Sequence, residues 1–156
     1  FGMRKYLLDV FNKIIIYPDV YYSTINEQYH QGEFNPRLKA IAFSWKDFYE
    51  GFSIDNNNLN LGLHEFTHAI HYKSMKSQDA SSLSFKKHYG NIIKEITQTE
   101  YKERLINSTY FRIYAYTNQF EFISVLIEHY FETPEKFKAE FPELFANVSK
   151  MLNHKH

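Results

Sequence analysis

A chain of 156 residues is long enough for one ordinary domain with a packed core, and its 15 Phe and 13 Tyr make that core aromatic. Its 18 Lys and Arg balance 18 Asp and Glu, which removes the electrostatic reason to expect nucleic acid or an anionic membrane as a partner. The absence of cysteine excludes disulfides and thiolate metal sites, so any metal must sit on imidazole and carboxylate.

A chain without cysteine also fits a reducing, cytoplasmic setting. No run of roughly 18 apolar residues exists, so no segment of this sequence spans a bilayer as a helix. The chain begins with Phe and shows no charged-then-apolar leader. Residues 1–156 therefore read as a single domain, with the question of a longer chain, an upstream anchor or a signal left open.

Taken in order, Arg4 to Asn12 reads as a short helix, and the β-branched run Ile14, Ile15, Ile16, Tyr17 as a short strand halted by Pro18. A polar stretch punctuated by Gly32 and Pro36 follows. Leu38 to Phe43 reads as a second strand, with Ser44 capping a turn through Lys46 to Tyr49. Asp55 and Asn56, Asn57 and Asn58 supply capping chemistry ahead of a helix from Leu59 to Tyr72, whose apolar residues 59, 63, 66, 69 and 70 keep a helical period. A further helix is expected from about Ser84 to Leu105, broken at Asn107 and Ser108. Residues 119–131 form a helix apolar almost all round, hence buried. Pro134 and Pro142 each sit where proline opens a helix. The expected class is α+β: helix-rich, with a small sheet from the N-terminal third.

The string His64-Glu65-Phe66-Thr67-His68 carries the chemistry. Residues four apart on a helix stand one turn apart on one face, so both imidazoles can reach one ion. Glu65, one step round, can hold water bound to that ion, and zinc brings the pKa of such water to about 7. Chance would place this pattern in roughly three per cent of chains of this composition, so its setting in a capped, periodic helix is what gives it weight.

A third ligand must come from elsewhere. His71 lies near the same face, but three ligands on one straight helix crowd one side of the ion, and a residue that supports a ligand from behind or simply packs is the better reading. Glu121 stands inside the apolar run, where a buried carboxylate needs a partner, and Glu128 shares its face two turns on. One of these acids binds metal while the other orients a ligand histidine, or both lie on a solvated stripe; periodicity leaves the choice open.

Four segments bear on that choice: IIIYPDVY (14–21), LKAIAFSWKDFYEG (38–51), NLGLHEFTHAIH (60–71) and YAYTNQFEFISVLIEHYFETPEKFKAEFPELF (114–145). Together they resemble the Mlc titration factor A family of zinc-dependent peptidases, over most of the chain. The resemblance implies a zincin-like metallopeptidase domain with one zinc ion on His64, His68 and Glu121, and Glu65 as the base. It also aligns Tyr114 with a tyrosine of the family, which implies a hydrogen bond to the oxyanion of the attacked carbonyl; an ordinary core tyrosine is the competing reading. The strand Leu38 to Phe43 is expected at the sheet edge above the cleft, where an extended peptide can pair with it. Two departures stand out: Thr67 replaces a small alanine, and His71 stands where the family commonly has an acid. The implied partners are peptide or protein substrates. The family's namesake sequesters a transcriptional repressor, so a regulatory module that captures a protein partner is the alternative function.

Overall fold

The structure, a computed structural model, describes residues 9–24, 27–54 and 56–155. The helix expected at Arg4 to Asn12 falls mostly outside these; within them Asp9 and Val10 form a turn. Five strands follow, β1 (Lys13–Tyr17), β2 (Tyr21–Ser23), β3 (Gln28–His30), β4 (Gly32–Asn35) and β5 (Ala40–Ser44). They build a three-stranded sheet in the order β1-β5-β4 and a separate β2-β3 hairpin. In the larger sheet β1 runs parallel to β5 with Ile15 opposite Ala42, and β4 runs antiparallel to it with Phe34 opposite Ile41.

This order corrects one expectation. The strand read as Leu38 to Phe43 is β5, and it is the middle strand, not the edge. All five of its residues are buried, as a strand flanked on both sides and covered on both faces requires. The edges are β1 and β4, and the one that lines the cleft is β4, whose polar sequence GEFN did not announce a strand.

The described residues hold seven α-helices: α1 (Trp45–Ser53), α2 (Leu61–Lys76), α3 (Ala80–Ile96), α4 (Thr99–Ser108), α5 (Gln119–Glu132), α6 (Pro134–Glu140) and α7 (Pro142–Leu152). A 3-10 turn, Ile113–Tyr116, precedes α5. The class is α+β as expected, and the two prolines open α6 and α7. Ser44 caps α1 by accepting from Asp47 N. The single helix expected from Ser84 to Leu105 is two. Thr97 Oγ1 turns back to the carbonyls of Ile93 and Lys94 at 2.9 and 3.0 Å, closing α3, and the polar run Thr97-Gln98-Thr99 offers no apolar residue to carry it on.

Helix α5 runs through the interior. Phe122 to Tyr130 are buried without interruption, packed among Phe85, Ile92, Phe137, Leu144 and Met151 of the surrounding helices. A smaller apolar cluster, Phe11, Ile41, Phe43 and Ala69, joins the sheet to α2. Helix α2 is thus held between sheet and α5, with one face toward each. Among the described residues no helix is long and apolar enough to cross a membrane.

Candidate metal centre

Asn60, rather than Asn56, Asn57 or Asn58, caps α2, its Oδ1 accepting from Leu63 N at 3.0 Å; Asp55 lies outside the described residues. The helix then places His64 and His68 one turn apart, with ring centres 4.9 Å apart and planes nearly perpendicular. Thr67 is buried and its hydroxyl donates to the carbonyl of Leu63 at 2.7 Å, so the extra polar atom is satisfied within the helix.

The second wall is α5. Its cap, Asn118, accepts from Phe120 N and Glu121 N at 2.9 and 3.0 Å, which puts Glu121 in the first turn. The buried Ser124, one turn on, is small enough to let α2 approach, and its hydroxyl points to the carbonyl of His64 at 3.4 Å. Glu121 thereby reaches the histidine pair: Oε2 lies 2.8 Å from His64 Nε2 and Oε1 3.6 Å from His68 Nε2. The donor atoms of His64, His68 and Glu121 all lie within 4.8 Å of one another. Ligand arms of 2.0–2.1 Å at tetrahedral angles put donors about 3.3 Å apart, so the three side chains fit a zinc-sized ion in number, type and spacing.

Glu128 meets the same histidine from its other side. Its Oε1 meets His64 Nδ1 at 2.6 Å, on the side of the ring away from Glu121. This carboxylate is fully buried, and Arg112 neutralises it, with Nη1 2.7 Å from Oε2 and Nη2 2.9 Å from Oε1. Arg112 was not singled out in the sequence. A buried acid demands a cation, but nothing in linear spacing says which one.

Glu65 is buried against β4, with the Phe34 backbone N–H donating to its carboxylate. Burial, with the charge of Glu121 adding to it, lifts its pKa to about 7 against the opposing pull of His64. Burial would lower His64, but hydrogen bonds to Glu121 and Glu128 outweigh it and hold the ring up to about 9. His68 falls to about 4, through burial and the neighbouring His64 charge. Glu121 is buried enough to rise, yet its bonds to His64 and Tyr114 and the His68 charge bring it down to about 2.

Tyr114, on the 3-10 turn, sits at the same place: its ring centre is 5.8 Å from that of His64, its hydroxyl bonds Glu121, and half of it is exposed. It is not a core tyrosine. His71 takes no part in the donor group; it is buried among Phe85, Tyr89 and Phe120, and burial lowers its pKa to about 4. Glu65, His64, His68, Tyr114 and Glu121, together with β4 from Gly32 to Phe34, line a cleft of about 820 Å³.

No curated protein and no solved structure matches this chain. One family model does, that of the glucose-regulated metallo-peptidase M90 family, over residues 1–152. A match across nearly the whole length, on a chain whose two histidines and distal glutamate converge at an open cleft, leaves one conclusion: the chain belongs to the glucose-regulated metallo-peptidase M90 family.

Proposed function

We propose that the protein is a zinc-dependent peptidase in which His64, His68 and Glu121 hold one zinc ion, and that residues 1–156 form one catalytic domain. The observation that carries this reading is the meeting of three metal-type donors from two helices beside a fourth residue, Glu65, that belongs to no ligand set. A zinc ion bound there supplies a Lewis acid that activates water and polarises a carbonyl.

The chain's own residues do the rest. An extended peptide lies along β4, whose outer edge faces the cleft, and pairs through main-chain hydrogen bonds. Glu65 takes a proton from the attacking water as oxygen bonds to the carbonyl carbon. The C–N bond then breaks, and Glu65 returns that proton to the departing amine. Tyr114 donates its hydroxyl hydrogen to the oxyanion once substrate competes with Glu121 for it. Glu128 keeps the His64 ring turned the right way. The substrates implied are short peptides or exposed protein termini.

A capture module with a structural ion would need no base beside the donors, and such ions usually fill four positions with protein groups. Zinc content and peptide cleavage, measured on wild type and Glu65→Gln, separate the two. Hydrolysis predicts equal zinc and a turnover lower by about 100- to 10,000-fold in the variant. Zinc in both proteins with equal, negligible cleavage contradicts it and favours capture.

A further inference from the structure

One guanidinium touches three segments that carry the site. Arg112 Nη1 donates to Glu128 Oε2 at 2.7 Å and Nη2 to Oε1 at 2.9 Å, a fork over both oxygens. Nη1 also donates to the Asn58 carbonyl at 2.6 Å, in the loop that leads to the Asn60 cap of α2. The same group lies 5.6 Å from the centre of the Tyr114 ring, two residues along the chain. The Arg112 side chain is 28% exposed and that of Glu128 0%, so the pair is largely shielded from water.

Neutralising a buried acid would need only a positive charge at this position. A planar fork does more, because it fixes the plane of the carboxylate and commits both of its oxygens. The oxygen that receives Nη2 is the one that meets His64 Nδ1, so turning the carboxylate would break both contacts at once. A carboxylate held this way accepts from Nδ1–H, which leaves the lone pair on Nε2, the nitrogen that faces Glu121.

We propose that Arg112 is a positioning residue of the metal centre: its fork on Glu128 sets the tautomer and orientation of His64. The inference rests on zinc being held by His64, His68 and Glu121.

The test compares wild type with Arg112→Lys, Arg112→Gln, Glu128→Gln and the double variant Arg112→Gln with Glu128→Gln. Zinc affinity is read by competition with a chromophoric chelator, and site geometry by the visible absorption of the cobalt-loaded proteins. Lysine keeps the charge and loses the fork. Both Arg112 variants are expected to bind zinc about 10- to 100-fold more weakly, with a changed cobalt spectrum. Adding Arg112→Gln to Glu128→Gln is expected to cost little more, since the arginine acts through that carboxylate. Should the glutamine variant fail to fold, the lysine variant, whose buried acid stays paired, carries the comparison. A lysine variant with wild-type zinc affinity and cobalt spectrum overturns the proposal, because charge balance alone predicts that result. Wild-type protein that takes up no zinc overturns the proposed function and this inference together. Zinc-binding wild type beside unchanged variants overturns this inference alone.

Discussion

Glu65 is placed by what stands opposite it. A Cβ at Gly32 would come within 2.8 Å of both Cγ and Oε1 of Glu65 and 2.7 Å of Leu61 Cδ1, so the strand comes this close only because residue 32 has no side chain. Gly32→Ala must move the carboxylate, and misplacing a catalytic group by an ångström costs about 100-fold in rate. Steady-state kinetics of this variant should show that fall in kcat with zinc content intact; unchanged turnover would show that Glu65 tolerates the shift. Tyr114→Phe removes the hydroxyl and leaves the ring, and is expected to lower kcat by about 100-fold or more with KM little changed. A variant as fast as wild type returns Tyr114 to a packing role. His64, Glu65 and His68 were legible in the sequence because four-residue spacing on a helix is itself a geometry. Glu121 and Glu128 share a face two turns apart, so no spacing could assign them. The crossing of α5 over α2 sets one acid at Nε2 of His64 and the other at Nδ1.

At the scale of elements, caps decided boundaries. Helix α3 begins at Ala80, earlier than its apolar pattern, because Asp79 accepts from Ser82 N at 3.0 Å and from the Ser82 hydroxyl at 2.7 Å. Those bonds with Ser77 and Ser82 hold the Asp79 carboxyl down at about 2. A carboxylate lowered by folding stabilises above its ordinary range, near 4, and that contribution fades as pH falls toward 2. Asp79→Ala is therefore expected to cost about 1 kcal/mol in thermal melts at neutral pH and to lose less at pH 2. An equal cost at both pH values would place its effect elsewhere. The central place of β5 had a signal, since Ala40 to Phe43 is an unbroken apolar run, which is how a strand covered on both faces reads. The strand β4 had little: GEFN is four residues with one large apolar side chain and no β-branched one, too short for its alternation to stand out.

Over the whole molecule, the helix-rich α+β class followed from long periodic segments in the last two thirds of the chain, and α5 was recognisable as interior from its composition. Burying α5 has a pH consequence. His129 lies beside Tyr110 and Phe111 with ring centres 4.8 and 4.9 Å away, and burial, with the charges of Arg112 and Lys136, lowers its pKa to about 4. Below about 6.5 the unfolded chain binds a proton there that the folded chain refuses until about 4, so stability declines across that window as pH falls. Urea titrations of wild type and His129→Leu are expected to show a shallower decline in the variant; parallel curves would exclude His129 as a source. The convergence of α2 and α5 on one ion is tested most directly by an anomalous difference map at the zinc edge from crystals of the zinc-loaded protein. One peak with His64, His68 and Glu121 at about 2.0–2.2 Å is predicted. A peak held by other residues, or none between the two helices, would contradict the assignment.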